Sequence, residues 1–195
     1  MVTREQAYEI FRQAGTFREG HFLLTSGRHS GEFFLMPHTF QHPALWEPLA
    51  KALAEQFVGQ GIETVCGPAT GGIILAYEVA RWIGLLQGGT GPRAIFTEKT
   101  EGGMALKRGW SLRQGEKVLM VEDAVTTGGS VKKALAALER FEPEIVGVGC
   151  LVDRSNGQHG FTVPFRSVVQ HTVESYQPAE CPLCKAGVPV VSPKV

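Results

Sequence analysis

The chain has 195 residues, 43% of them hydrophobic and 19% charged, a balance that suits one globular domain with a full core. Its 19 basic and 19 acidic residues leave a formal net charge of zero, with no basic excess to attract nucleic acid. No apolar run reaches the length of a membrane span or a secretory signal core, and four cysteines in a chain this long make no disulfide scaffold, so the expected place is the cytoplasm, with neither membrane nor nucleic acid as partner.

Thr3, with Gln6 three residues later, reads as a capping box. Ala7, Ile10, Phe11 and Ala14 follow at helical spacing, and Gly15 can end that helix. Residues 21–36 read as two short strands around a turn that carries Ser26 and Gly27. Phe33 and Phe34 are adjacent, so in a strand they point to opposite faces. Either both are core aromatics, or one packs inward while the other flanks a flat ring. Residues 43–57 form a second amphipathic helix, with Pro43 suited to its first turn.

A strand over residues 62–66 then runs into Gly67-Pro-Ala-Thr-Gly-Gly72 and a helix over residues 73–85. Such a unit can present backbone N–H groups to an anion, or serve only as a structural turn. Residues 93–97 read as a third strand. Residues 98–114 are rich in Gly and charge and lack apolar periodicity, so they read as a long loop, of the kind that is functional or disordered in a compact domain. Its cations are Lys99, Lys107 and Arg108 among others.

Residues 118–130 are the most informative stretch. Val118 to Val121 read as a buried strand, and Glu122 and Asp123 stand at its carboxyl end, where ligands sit in open parallel sheets. Ala124, Val125, Thr126, Thr127, Gly128, Gly129 and Ser130 then turn into a helix over residues 131–141, whose apolar face is Val131, Leu135, Leu138 and Phe141. The glycines let backbone N–H groups converge on an anion, the helix start adds partial positive charge, and the hydroxyls add donors. That half of the loop suits a phosphate. The acidic pair suits sugar hydroxyls. No Gly-Lys-Ser/Thr follows, which excludes a Walker loop.

A further buried strand over residues 145–152 ends in Asp153-Arg154, which is either a surface pair or a carboxylate site built on the guanidinium fork. Residues 165–173 read as a last strand. Cys181 and Cys184 form a Cys-x-x-Cys in a Pro-rich tail. Two cysteines are half of a structural zinc set, and Cys66 and Cys150 fall in core strands. Zinc, even one shared across a dimer, and inert thiols or a local turn remain open readings.

The motif at residues 118–130 resembles the signature of the type I phosphoribosyltransferases: four hydrophobic residues, two acids, two small residues, then Thr-Gly-Gly-Ser or a relative. Within that family, Leu24-Thr-Ser-Gly-Arg-His-Ser30 with Phe33-Phe34, and Asp153-Arg154, resemble the orotate phosphoribosyltransferases. Three places depart from the family pattern: Thr25 stands for a Lys, Thr70-Gly71 for Tyr-Lys, and the 98–114 loop keeps only Lys99 of its usual Lys/His set. Lys107 and Arg108 lie near enough to substitute.

The resemblance implies an α/β phosphoribosyltransferase fold: a central parallel sheet flanked by helices (core about 43–170), with a small hood from about residues 1–40 and part of the C-terminal region. It implies transfer of a phosphoribosyl group from phosphoribosyl pyrophosphate to orotate on the way to UMP, by a homodimer. It implies that Glu122 and Asp123 hold the ribose, Thr126, Thr127, Gly128, Gly129 and Ser130 the 5′-phosphate, and Ala69, Thr70, Gly71 and Lys99 the pyrophosphate, with Ala124 and Val125 also lining the phosphoribosyl pyrophosphate. Glu122, Asp123 and Lys99 are then the catalytic residues. Ser26, Phe33, Phe34, Thr126 and Arg154 would bind orotate. Mg²⁺ would be carried by the substrate, with no direct protein ligand. The rival readings are transfer to a purine or uracil, and a non-catalytic regulator on the same fold.

Overall fold

The N-terminal helix, α1 (Arg4–Gln13), begins as its capping box predicts. Gln6 N–H donates to Thr3 Oγ1 at 3.2 Å, and Thr3 N–H donates to Gln6 Oε1 at 2.9 Å. Two strands follow, β1 (Phe17–Leu23) and β2 (His29–Phe34), paired antiparallel as a separate two-stranded sheet. The computed structural model describes residues 2–24 and 26–192. Thr25, at the turn, lies outside the described residues.

The rest alternates: α2 (Pro43–Glu55), β3 (Thr64–Pro68), α3 (Gly71–Gln87), β4 (Arg93–Thr100), β5 (Gly103–Leu106), β6 (Lys117–Val125), α4 (Gly129–Leu138), β7 (Glu144–Asp153) and β8 (Phe165–Gln170). The large sheet has the order β5-β4-β3-β6-β7-β8. Every neighbouring pair is parallel except β4 with β5. The chain lays β3 and β4 to one side, then returns to place β6 on the other side of β3. That makes the β3–β6 boundary the switch point, where the loops leaving the two strand ends part and open a crevice.

The strands are near-continuous apolar runs because helices cover both faces. On one face α2 and α3 bury Leu49, Leu53, Leu75 and Val79 against Val65, Leu119 and Leu151. On the other, α4 buries Val131, Ala134 and Leu138 against Met120, Val148 and Cys150. Leu135 and Phe141, expected on the inward face of α4, are only partly buried, and Ala134 takes the central place. Cutting back a fully buried residue such as Leu53 to Ala would cost about 2–5 kcal/mol.

The segment 98–114 corrects the expectation of a structureless loop. β4 continues to Thr100, and β5 folds back on it with Glu98 opposite Ala105 and Lys99 opposite Met104. Leu106 and Leu112 are buried, and Trp110 meets Phe96 edge-on at 4.6 Å between ring centroids. β5 spans only four residues, Gly103–Leu106, too few to set a period among flanking charges.

After β8 the chain returns to the two-stranded sheet. Arg28 Nε donates to Ser175 Oγ at 2.9 Å, and Ser30 Oγ donates to the Glu174 carbonyl at 2.8 Å. Tyr176 bridges His29, and Val191 bridges Phe22. A short helix, α5 (Pro182–Lys185), carries the Cys-x-x-Cys in this returning tail. No helix among the described residues is long and apolar enough to cross a membrane.

Candidate active site

Two Gly-rich loops face each other across the switch point. The first links β3 to α3. A Cβ on Gly67 would lie 2.0 Å from the Gly72 carbonyl oxygen, so only glycine lets the loop close this tightly. The Ala69–Thr70 peptide is cis. Thr70 stands at the helix start and makes no side-chain cap bond, which leaves N–H groups of the first turn without a side-chain acceptor.

The second loop links β6 to α4. Gly128 sits at φ +72°, a left-handed conformation that glycine adopts without penalty, and a Cβ there would meet the Phe161 ring at 2.7 Å. α4 also lacks a side-chain cap bond. Its first N–H groups, with exposed Thr126, Thr127 and Ser130, therefore form a donor-rich cradle. A cavity of about 270 Å³ opens here, lined by Glu122, residues 124–131 and Lys133.

Glu122 and Asp123 are adjacent near the carboxyl end of β6, which runs on to Val125, so they project to opposite sides of it. Glu122 is buried, and its Oε1 accepts from Asp123 N–H at 3.1 Å. Asp123 Oδ1 accepts from Ala124 N–H at 2.6 Å. Burial, then the charge of Asp123, pushes the Glu122 carboxyl up to about 8, while Lys99 draws it down. Burial also raises Asp123, against the Ala124 N–H bond. Both shifts favour a shared proton on the pair, and positive charge or hydroxyl donors beside it would oppose them. Lys99 projects from the β4–β5 hairpin near enough to act on Glu122. Of the two cations expected to substitute for the missing ones, Arg108 is paired with Glu98 at 2.6 Å and lies over the Phe96 ring. Lys107 is exposed beyond β5.

Arg154 follows β7 directly. Its N–H donates to the Val125 carbonyl at 2.7 Å, and Val125 pairs with Asp153, so Arg154 stands beside the start of the cradle at Thr126. Asp153 is occupied locally: Oδ1 accepts from Ser155 N–H and Oγ at 2.8 and 2.6 Å. The Arg154 guanidinium lies 5.8 Å from the Phe34 ring centroid. Its Nε is buried with no hydrogen-bond partner among protein groups, and burial lowers its pKa against the opposing charge of Glu32. A desolvated guanidinium with an unmet donor suits an anionic ligand.

The adjacent phenylalanines divide the roles as strand geometry demands. Phe34 is buried against Tyr8, Phe11 and Phe17, and Phe33 is half-buried beside Phe22 at 5.9 Å. Ser26 is exposed on the β1–β2 turn, at the other end of β2 from the two phenylalanines. Sequence patterns missed the groups supporting this corner. His171 Nε2 lies 2.7 Å from Glu32 Oε1, in a contact not aligned as a hydrogen bond, and His171 Nδ1 meets the Tyr8 hydroxyl. Three residues so far apart in the chain carry no local signal.

The comparisons with known proteins show the family. The family model described as "Phosphoribosyl transferase domain" matches residues 41–160. A protein of Thermoanaerobacter sp. named orotate phosphoribosyltransferase is 49% identical over 98% of this chain and 97% of its own length. One of the same name from Thermotoga maritima is 41% identical over 95% of each. Among solved structures, an orotate phosphoribosyltransferase from Aeropyrum pernix superposes with a TM-score of 0.67 at 24% identity, covering 83% of this chain and 92% of that one. The Mycobacterium tuberculosis enzyme in complex with inorganic phosphate gives 0.65 at 23% identity, covering 85% and 94%. These last two show likeness of fold.

Proposed function

The chain belongs to the orotate phosphoribosyltransferase family, and from that premise we propose that it transfers the phosphoribosyl group of phosphoribosyl pyrophosphate to orotate, releasing pyrophosphate and forming orotidine monophosphate in UMP biosynthesis. The observation that carries the reading is one constellation at the β3–β6 switch. A phosphate cradle, a buried acid pair and a desolvated arginine stand at adjoining strand ends.

In this reading the backbone of 126–130 takes the 5′-phosphate, and Glu122 and Asp123 accept hydrogen bonds from the ribose hydroxyls. Ala69, Thr70 and Gly71 offer N–H groups to the pyrophosphate, and Lys99 swings over it from the hairpin. Breaking the bond from C1 to pyrophosphate leaves positive charge on the ribose ring. The ionised acid pair stabilises that charge, and Lys99 stabilises the leaving anion. Orotate N1 then bonds to C1 and its proton is lost. Arg154 grips the orotate carboxylate, while Thr126, Ser26 and a ring from Phe33 or Phe34 hold the base. No covalent intermediate on the enzyme is required.

The oxygen-rich donor set at Glu122 and Asp123 fits Mg²⁺, a hard cation that keeps several waters, so the carboxylates would hold it through its waters and the substrate's own oxygens. When bound it neutralises charge on the pyrophosphate.

We read the chain as one phosphoribosyltransferase domain that works in the cytoplasm as a homodimer. Ile74, Tyr77 and Leu85 support the dimer: they lie on one face of α3 and are 42%, 67% and 56% exposed. Sedimentation at twice the chain mass of 21.2 kDa is the check. The test of function is turnover with phosphoribosyl pyrophosphate, Mg²⁺ and a panel of bases. Orotate alone should be converted, because uracil and the purines carry no carboxylate for Arg154. Conversion of uracil or a purine in preference to orotate would overturn the assignment.

A further inference from the structure

The Cys-x-x-Cys of the C-terminal tail does not stand alone. α5 brings Cys181 and Cys184 onto the β1–β2 hairpin, where His21 and His29 face them across the strand pair. One ligating atom from each of the four residues falls in a cluster no wider than 4.8 Å. His21 Nε2 lies 2.8 Å from His29 Nδ1 and 3.5 and 3.7 Å from the sulfurs of Cys181 and Cys184. His29 Nδ1 lies 3.2 Å from the Cys184 sulfur. With metal bonds of about 2.0–2.1 Å to nitrogen and about 2.3 Å to sulfur, the edges of a zinc tetrahedron are of this size.

We propose that His21, His29, Cys181 and Cys184 form a structural Cys₂His₂ zinc site that fastens the C-terminal tail to the β1–β2 hairpin. The ligands are set as such a site requires. His21 Nδ1 lies 2.7 Å from the Val188 carbonyl, which can only accept, so the proton is on Nδ1 and the Nε2 lone pair faces the cluster. Cys181 is fully buried and His21 and His29 are 2% and 8% exposed, so three of the ligands are shielded from bulk water, while Cys184 closes the site from its exposed side. Two thiols and two neutral imidazoles bind Zn²⁺ with release of two protons to solvent. The resulting site is neutral and can be enclosed without an unpaired charge. Soft thiolate with imidazole in a four-ligand set selects zinc over the hard cation of the substrate.

All four ligands are used, which leaves no open position for catalysis, so the role is mechanical. The same tail makes the Arg28–Ser175, Ser30–Glu174 and His29–Tyr176 contacts, and Leu183 packs over Gly31. The hairpin so fastened is the one that ends in Phe33 and Phe34.

The test is metal analysis of the full-length chain, produced without a polyhistidine tag and kept reduced. We expect about one zinc per chain by mass spectrometry of the dialysed protein. Protein refolded from denaturant and chelator with Co²⁺ should show sulfur-to-cobalt charge transfer and the intense visible bands of tetrahedral cobalt. Cys181→Ser with Cys184→Ser should lose both signals. The cobalt spectrum of the wild-type chain decides the matter even where that variant does not fold. Wild-type protein that is zinc-free and gives no thiolate–cobalt band overturns the site. So does a Cys181–Cys184 disulfide in peptide mass mapping of the untreated protein.

Discussion

Asp123 Oδ2 lies 2.1 Å from the point a Cβ on Gly71 would occupy. The acid of one loop thus rests on the bare backbone of the other, and the two halves of the site interlock across the β3–β6 boundary. Gly71→Ala should displace the carboxylate rather than the fold, since Gly71 does not need a positive φ and the obstructing atom ends a short side chain. The expected result is a melting temperature near wild type and kcat/KM for phosphoribosyl pyrophosphate reduced on the order of tenfold or more, since ~1.4 kcal/mol of misplacement is tenfold. Unchanged kinetics would mean the Asp123 position is not critical.

Glu122→Gln and Asp123→Asn preserve volume while removing charge. Both carboxylates lie near the end of a strand, so packing of the sheet should survive. In the double variant turnover should fall on the order of a hundredfold or more, because the charge that offsets the ribose cation is gone. Circular dichroism and thermal melting check the fold beside steady-state kinetics. Near-wild-type turnover would remove the acid pair from the mechanism.

The raised carboxyl of Glu122 has a consequence for stability. Its folded value is about 8 against an ordinary 4.5. Between those values the unfolded chain has released a proton that the folded chain still holds. Stability of the ligand-free protein should therefore be greatest below about pH 4.5 as far as this group is concerned, fall as pH rises toward about 8, and level off above it. The loss should be on the order of a few kcal/mol, shared with Asp123 as a coupled pair. Glu122→Gln should flatten the slope in urea unfolding across that window. Substrate binding should release a proton, read by calorimetry in buffers of different ionisation enthalpy.

Much of this site could be read from sequence because its parts are local. The strand, acid pair and Gly turn at residues 118–130 lie in one continuous run, and a parallel sheet requires the loop to open at its carboxyl end. The position of Arg154 was legible for the same reason, just past a buried strand, but the pattern alone left it either a surface pair or a carboxylate site, and only the family resemblance favoured the second. The helical start at Thr3 was legible from its capping pattern. What depended on distant partners was not. His171 reaches Glu32 and Tyr8 only after β8 and the N-terminal segments meet. His21 and His29 gain their sulfur partners only when a tail about 150 residues later folds back over the hairpin. Four residues at Gly103–Leu106 were too short a signal to separate a hairpin strand from a loop.

That hairpin makes a sharper prediction than a loop would. Glu101 and Gly102 at its tip are exposed, whereas Leu106 and Leu112 are anchored in the core. Limited proteolysis should therefore cut first at the tip and spare residues 106–112. Phosphoribosyl pyrophosphate with Mg²⁺ should slow the cut as Lys99 engages the pyrophosphate. Equal cleavage with and without ligand would count against closure of the hairpin over the site.

Arg154 should decide the choice of base. Orotate differs from uracil by one carboxylate, and a guanidinium fork is the side chain best shaped to read it. Here the guanidinium is largely desolvated, Nε has no protein acceptor, and the backbone beside it is held to Val125 at 2.7 Å. An orotate carboxylate left without that partner in the same place would cost on the order of a few kcal/mol. Arg154→Ala should therefore lower kcat/KM for orotate on the order of a hundredfold or more, with each ~1.4 kcal/mol worth tenfold. Arg154→Lys should recover little, because a point charge cannot reproduce the fork. Affinity for phosphoribosyl pyrophosphate, held by the two Gly-rich loops, should stay within about threefold of wild type, an energy under ~1 kcal/mol. Steady-state kinetics on orotate, run beside equilibrium binding of the sugar phosphate, separates the possibilities. Wild-type turnover in Arg154→Ala would place the carboxylate elsewhere. Equal loss of sugar-phosphate binding would make Arg154 a support of the cradle rather than a reader of the base.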